Sequence, residues 1–120
     1  MVNLDAYIGR DNVERLRLKQ GSSVVLPGAT IRAAMTFGAH YCLDTDNAEH
    51  ADLIFFDDED NQILGLRLGR VPDLAIPEGG GRRGLQGKLT LWDGTTDVGF
   101  AWDEVSISVQ EWPVCNGGGE

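Results

Sequence analysis

The sequence has little of three things: cysteine, positive charge and continuous apolar stretches. Its 120 residues include two cysteines and ten Lys or Arg against 19 Asp or Glu, for a net charge of −9. A phosphate backbone is bound through clustered Lys and Arg, so this balance argues against a nucleic-acid partner. No apolar run approaches the ~20 residues of a membrane-spanning helix, and residues 1–5 lack the basic and apolar regions of a signal peptide. We therefore expect synthesis in the cytoplasm and no membrane partner.

The scarcity of cysteine and histidine also limits the chemistry. Cys42 and Cys115 are too few for a disulfide framework. We expect free thiols, with Cys42 buried in a strand, although the sequence leaves a bridge between them open. His40 and His50 lack the close spacing of zinc ligands, and the nucleophile elbow of the hydrolases is missing. The sequence therefore predicts no catalysis, no cofactor and no metal.

What the sequence does contain is alternation of apolar and polar residues in five separate stretches. Side chains of a strand point to opposite faces in turn, so each stretch has one core face and one solvent face. Parallel sheets bury both faces, and the pattern therefore favours antiparallel strands. Together with Gly, Pro and Asp turns, it predicts an all-β fold, a two-sheet antiparallel sandwich of immunoglobulin-like or jelly-roll type. The core-facing side chains are Leu16, Leu18, Ile31, Ala33, Met35, Phe37, Leu64, Leu66, Leu68, Leu85, Leu89, Leu91, Val105, Ile107 and Val109.

The chain is predicted to form one domain, since a chain of this length buries about two-thirds of its unfolded surface in a single core. Residues 1–12 form an N-terminal leader or contact arm. Within it, Leu4, Tyr7 and Ile8 either pack as an edge strand or contact a neighbouring molecule. Residues 13–112 form the sandwich, and residues 113–120 form a flexible Gly-rich tail.

Acidic side chains are concentrated in residues 44–60, which hold eight of the 19. Oxygens of Asp44, Asp46 and Asn47 are of the kind that binds calcium. The EF-hand spacing fails, however, because Glu49 occupies the position where that loop needs glycine. Solvated acidic turns are the simpler interpretation, and a docking patch for a basic partner is a third.

The remaining candidates are a basic loop and the tryptophans. Residues 79–88 look like a phosphate-binding loop but lack its required Gly and Ser or Thr. We interpret residues 79–84 as a mobile loop whose Arg82 and Arg83 contact an acidic neighbour. Trp92 falls on the solvent-facing register of its strand, so with Trp102 it would form the sugar-stacking strip of a carbohydrate-binding module. Core or interface packing is the alternative, and Trp112 is a further contact candidate.

Three short motifs carry a resemblance to a known family. They are Leu-Pro-Gly-Ala-Thr-Ile-Arg at 26–32, the segments 66–69 and 76–79, and residues 87–93 with 99–102 and a closing strand at 105–109. Over residues 13–110 they resemble small immunoglobulin-like virion proteins of tailed bacteriophages, and in particular the N-terminal domain of phage baseplate upper proteins. The loop at 79–84 is longer and more Arg-rich than in that family, and no receptor-binding extension follows Val109.

The resemblance implies a non-enzymatic structural protein of the virion, made in the host cytoplasm. Capsid decoration or a head-fibre role is the first expectation, and a tail or baseplate accessory protein is the alternative. Expected partners are major capsid or tail subunits and further copies of the chain. The alternative functional classes are a carbohydrate-binding module, whose partner would be a glycan, and a small hydrolase. The candidate contact residues are Leu4, Tyr7, Ile8, Arg82, Arg83, Trp92 and Trp112.

Overall fold

A computed structural model of the chain describes residues 1–18, 28–72, 74 and 82–112. Predictions for the turn at 27–28, the loop at 79–81, Cys115 and the tail at 113–120 lie wholly or partly outside these residues. Within them, no helix is long and apolar enough to cross a membrane. The strands are β1 (Val2–Tyr7), β2 (Glu14–Arg17), β3 (Arg32–Phe37), β4 (Tyr41–Asp44), β5 (Ile54–Phe56), β6 (Ile63–Leu66), β7 (Arg82–Trp92) and β8 (Phe100–Gln110), with 3₁₀ turns at Ala48–His50 and Leu68–Arg70.

The strands form two sheets, which confirms the all-β, two-sheet prediction. The larger sheet has the order β1-β8-β7-β3-β4, and the smaller has the order β2-β6-β5. The prediction of a wholly antiparallel arrangement is wrong at one edge, because β1 runs parallel to β8 with Leu4 opposite Ile107. Alternation along a strand does not encode its direction. A parallel pair needs a long crossover, and here the rest of the domain provides it.

One apolar core lies between the sheets. Met35, Leu89 and Val105 of the larger sheet and Leu64 and Leu66 of the smaller are each at most 1% exposed. In the described residues no polar or charged side chain is buried with them. All but one of the predicted core-facing side chains are buried, as their alternation requires.

Ile31 is the exception, since its side chain is 57% exposed. It precedes the first residue of β3, and its amide donates to the carbonyl of Trp92 across a distance of 2.7 Å. The backbone therefore continues the sheet while the side chain lies outside the core. The prediction failed here because alternation continues past the point where the core ends.

The larger sheet is built on two long strands, β7 and β8, of eleven residues each. At the usual rise they span about 33 Å, so their two ends are separate surfaces. Their register shifts once, between Leu89 and Thr90. At a core-facing position Gly87 lies so close to Phe37 that an added Cβ would stand 2.8 Å from the Phe37 Cβ. The absence of a side chain at Gly87 therefore allows these strands to pack closely.

Strand β1 is an integral edge strand, which is one of the two alternatives predicted for residues 1–12. Leu4 and Ala6 are buried in the core. At the open edge, the carboxylate of Glu14 accepts a hydrogen bond from the Asp5 amide at 3.2 Å. Beyond the strand, the Gly9 amide donates to the carbonyl of Gly69 at 2.8 Å. These contacts hold the chain in place where it leaves β1.

Candidate protein contact surface

The ends of three strands meet at one edge of the larger sheet. Gln110 at the end of β8 lies between Tyr7, the last residue of β1, and Arg82, the first residue of β7. Neighbouring strands lie about 4.8 Å apart, so Tyr7 and Arg82 are separated by about 10 Å. The amide of Ile8 donates to the Gln110 carbonyl at 3.1 Å. The pairing of β8 with both neighbours therefore brings together residues distant in sequence.

Trp112 covers part of this edge. Its ring packs edge-to-face against Tyr7, with the ring centroids 5.2 Å apart and the planes at 73°. The Nε of Arg10 donates to the Trp112 carbonyl at 3.2 Å. Even so, the side chain is 57% exposed. Trp112 is therefore held in position by the chain and still offers a large apolar surface to solvent.

Two arginines complete the surface. The prediction that Arg82 and Arg83 lie in a mobile loop is wrong, because they are the first two residues of β7 and pair with Gln110 and Val109 of β8. Both are exposed, and neither forms an ion pair with any residue that the structure describes.

Trp, Tyr and Arg are the side chains most enriched among the residues that dominate binding at protein interfaces. We call this surface the Trp112 end and define it by Tyr7, Arg82, Arg83 and Trp112. The predicted contact residue Ile8 adjoins it through its backbone amide, while its side chain packs against the core. Sequence reasoning missed Arg10, which carries no periodic or motif signal.

Two predicted contact residues lie elsewhere. Leu4 is only 4% exposed and packs in the core, so it supports β1 from beneath and does not reach a partner. Trp92 lies at the far end of β7, about 33 Å from Arg82. The seven candidates therefore do not form one surface.

Trp92 lies on the outer face of the larger sheet and is half-buried there. The guanidinium carbon of Arg32 stands 4.1 Å from its ring centroid. The indole Nε1 donates to the Asp97 carbonyl at 3.2 Å, and Gly99 lies so near the ring that an added Cβ would be 2.7 Å away. The ring is therefore engaged by its own chain along much of its surface.

Trp102, in contrast, faces the core. It is 3% exposed, and its Nε1 donates to the carbonyl of Leu18 at 3.1 Å. Its side chain fills space between the sheets because the register shift in β7 and β8 turns it inward. Trp102 therefore shows the core packing given above as the other interpretation of the tryptophans, and the exposed strip that a carbohydrate-binding module would need is not formed by Trp92 and Trp102.

An ion pair lies beside Trp92. Asp44 accepts two hydrogen bonds from Arg32, at 3.0 Å from Nε and 2.5 Å from Nη2. These bonds hold the pKa of Asp44 below its usual value against the opposing effect of burial, and they raise the pKa of Arg32. Asp46 lies 3.4 Å from the same guanidinium. Asp44 therefore stays charged, and one arginine is shared by two carboxylates.

The loop after Trp92 is ordered by a third carboxylate. Asp93 accepts hydrogen bonds from the hydroxyl and the amide of Thr95, at 2.6 and 3.0 Å, and from the Gly28 amide at 3.0 Å. The Thr95 bonds are the main reason why the pKa of Asp93 is lowered. Asp93 therefore remains an anion at this end of the sheet.

Exposed apolar side chains lie among these carboxylates. Ile31 is 57% exposed and Val98 is 81% exposed. An added Cβ at Gly94 would stand 3.4 Å from the Ile31 Cδ1, so this loop lies beside Ile31. We call this surface the Trp92 end and define it by Ile31, Asp46, Trp92, Asp97 and Val98.

Two side chains of the acidic segment 44–60, Asn47 and Asp58, close local turns. Asn47 accepts a hydrogen bond from the Glu49 amide at 2.9 Å and so caps the 3₁₀ turn. Asp58 accepts from the Gln62 amide at 2.8 Å, which closes the turn between β5 and β6. In the part of the chain given above, no three His, Cys, Asp or Glu side chains are grouped to hold a metal ion. The prediction that Cys42 is buried is wrong, because it lies exposed on the edge strand β4.

A cleft of about 430 Å³ opens between the two 3₁₀ turns. Its arginines are engaged by their own chain: Arg67 donates to the Asp52 carbonyl at 3.1 Å and lies over the Phe55 ring, while Arg70 stands 3.7 Å from Asp11. The guanidinium groups are thus held by backbone, ring and carboxylate contacts. The cleft is a polar depression whose lining also includes Asp11, Glu49 and Asp52.

No family model and no curated protein matches this sequence. The two ends of the larger sheet are therefore the basis on which a function is argued.

Proposed function

We propose that this chain is a non-enzymatic structural module that binds neighbouring protein subunits through the Trp112 end. The observation that carries the proposal is the exposed, positioned Trp112 at the same sheet edge as Arg82 and Arg83, which form no ion pair within the described residues. We further propose that these neighbours are capsid subunits of a tailed-phage virion, which the motifs within residues 13–110 support. In this proposal the β sheets form a rigid framework, and the function is the binding of neighbouring subunits at the Trp112 end.

The Trp112 end has the physical properties of an interface centre. A tryptophan buries roughly 150–250 Å² when it is covered by a partner. Because Tyr7 and Arg10 already hold Trp112, less side-chain freedom is lost on binding. Arg82 and Arg83 would pair with carboxylates of the partner and fix its orientation. The partner surface we propose is therefore an apolar recess bordered by acidic side chains.

The immunoglobulin-like part of the proposal rests on strand order. If β2 to β8 correspond to strands B, C, C′, D, E, F and G, the two sheets read G-F-C-C′ and B-E-D. That order is the one found in variable-type immunoglobulin domains. Met35 lies on the strand that would carry the buried tryptophan of antibody domains. The proposed relation therefore concerns topology and does not extend to the antibody core.

The first experiment asks whether the chain is part of a particle. Virions of the phage that encodes it are purified, and the chain is quantified by mass spectrometry against the capsid and tail proteins. We expect a ratio to the major capsid protein that matches capsid symmetry. A ratio that matches tail proteins would favour the tail or baseplate alternative, and absence from purified virions would refute the virion assignment.

The second experiment tests the surface. Purified chain is added to particles assembled without it, and binding is measured for wild type, Trp112→Ala and Thr36→Ala, a substitution at an exposed position in the middle of the outer sheet face. Loss of a central tryptophan typically costs about 2 kcal/mol or more, which is roughly thirtyfold in affinity. We expect that loss for Trp112→Ala and none for Thr36→Ala. Equal binding by all three proteins would contradict the proposed contact surface.

A further inference from the structure

The two ends of the larger sheet carry opposite charge. The Trp112 end carries the exposed Arg82 and Arg83 together with Arg10, which binds the Trp112 carbonyl, and the exposed Glu111 is the acidic residue beside them, so positive charge is in excess there. The Trp92 end presents carboxylates, and its arginine, Arg32, is already bound to Asp44. A chain with a net charge of −9 thus has a positively charged tip about 33 Å from a negatively charged one.

Exposed apolar side chains follow the same division. In the described residues, the large apolar side chains that remain exposed are Met1, Ile31, Val98 and Trp112. Ile31 and Val98 belong to the Trp92 end, and Trp112 belongs to the other. Single exposed apolar side chains are ordinary, but groups of them bordered by charge mark interaction surfaces. Each end therefore combines apolar area with charge of one sign.

We propose that copies of this chain associate head to tail, with the Trp112 end of one copy against the Trp92 end of the next. Trp112 packs beside Ile31 and Val98 of the neighbouring copy, and Arg82 and Arg83 face its Asp46 and Asp97. This contact is heterologous, so it repeats into a row or a closed ring and does not stop at a symmetric pair.

The charges decide against the two symmetric arrangements. Two Trp112 ends would set four arginines against two Glu111 carboxylates, which leaves like charge in excess, and two Trp92 ends would bring carboxylates together. Asp93 is charged at neutral pH, as an aspartate of ordinary pKa also is, and the Thr95 hydrogen bonds lower its pKa further. The contact between unlike ends pairs the excess charges of opposite sign, and it does so whatever particle the chain belongs to.

The test is sedimentation velocity of the purified chain at physiological ionic strength, over concentrations up to about 1 mM, the weak limit of specific association. We expect the weight-average mass of the wild type to rise with concentration beyond that of a dimer. Trp112→Ala and the basic-end variant R82E/R83E are expected to lower the association constant at least about tenfold. A wild type that stays monomeric throughout, or stops at a dimer, would overturn the proposal.

A charge exchange makes the test specific. The acidic-end variant D46K/D97K has two basic ends and R82E/R83E has two acidic ends, so each alone is expected to stay monomeric. An equimolar mixture is expected to regain association because unlike ends are again available. The control R17E/K88E changes the net charge as much as R82E/R83E does, at exposed positions away from both ends, and is expected to associate like wild type.

Thermal unfolding of each variant shows whether it is folded, and Trp112→Ala tests the contact without a change of charge. If the mixture does not associate, or if the control loses association as fully as R82E/R83E, the head-to-tail contact is refuted. This test and the virion experiments are independent. A chain that stays monomeric in solution can still bind to particles, and that binding is measured separately.

Discussion

The ion pair between Arg32 and Asp44 is expected to stabilise the larger sheet more than an ordinary surface ion pair does. The two side chains are 33% and 19% exposed, and two N–H groups of the guanidinium reach the carboxylate. On the adjacent strand, the ring of Trp92 lies 4.1 Å from the same guanidinium. Three neighbouring strands, β7, β3 and β4, are therefore linked through one side chain.

The magnitude follows from that geometry. Exposed ion pairs contribute about 0.2–1 kcal/mol, whereas hydrogen bonds to charged groups contribute about 1.5–3 kcal/mol when sheltered. The partial burial of Asp44 places the coupling between the two side chains at about 1 kcal/mol. The cation–π contact with Trp92 adds about 0.5–1 kcal/mol. Arg32→Ala is therefore expected to lower the free energy of unfolding by about 1.5–2 kcal/mol, the sum of these two contributions.

The assay is a double-mutant cycle with Arg32→Ala, Asp44→Asn and both together, with urea unfolding followed by tryptophan fluorescence. The control is the same cycle on Arg15 and Asp57, an ion pair whose side chains are 59% and 32% exposed. We expect a coupling free energy of at most about 0.5 kcal/mol for that pair. A coupling for Arg32 and Asp44 no larger than the control would refute the reasoning.

The pH dependence of the unfolding free energy provides a second test of the contact between Arg32 and Asp44. Because Arg32 lowers the pKa of Asp44 in the folded chain, folding favours the ionised carboxylate. The stabilisation is present above the unfolded pKa of about 3.9 and is lost as the pH falls through the lower folded value. The difference in unfolding free energy between wild type and Asp44→Asn should therefore shrink below about pH 4. A difference that stays constant from neutral pH into acid would contradict this.

Three further predictions concern packing and the loop after β7. Gly87→Ala should lower the free energy of unfolding by about 1–3 kcal/mol through overpacking. At Gly84 an added Cβ has no atom within 4 Å, so Gly84→Ala should leave the stability unchanged. Thermal unfolding of the two variants compares these effects. Trp102→Phe should cost about 1–3 kcal/mol because it leaves the Leu18 carbonyl without its donor, as urea unfolding will measure. Thr95→Val should raise the pKa of Asp93 toward its ordinary value, which an NMR titration of the carboxyl group measures. An unchanged pKa would show that the Thr95 hydroxyl does not lower it.

The core was predictable because alternation is a local property. A side chain such as Met35 or Leu89 faces the core through the period of its own strand, and no knowledge of neighbouring strands is needed. Ile31 follows the same period and is exposed, because whether a face is covered depends on where the other sheet ends. The sequence carries no local record of that boundary. Cys42 is exposed for a different reason, since it lies opposite Thr36 on the outer face of the sheet, next to the buried Leu43.

The candidate site was predictable as a set of residues but not as a surface. The sequence indicated Tyr7, Trp112 and the two arginines because they are aromatic or basic residues outside the stretches that alternate apolar and polar side chains. Their meeting depends on the pairing of β1 with β8 and of β8 with β7, which brings Tyr7 to residues 75 to 105 positions away in the sequence. Trp92, chosen by the same reasoning, lies at the opposite end. Residue type indicated which side chains could bind, and only register decides which of them bind together.

The direction of β1 decides whether the Trp112 end exists. In the observed parallel pairing Tyr7 lies opposite Gln110, beside Trp112 and Arg82. An antiparallel β1 over the same partners would place Tyr7 opposite Val105 and Val2 opposite Gln110. Tyr7 would then lie five residues, or about 17 Å, from its present position, and the ring contact that holds Trp112 would be lost. The edge at which the sequence-based prediction failed is thus the edge on which the proposed contact surface depends.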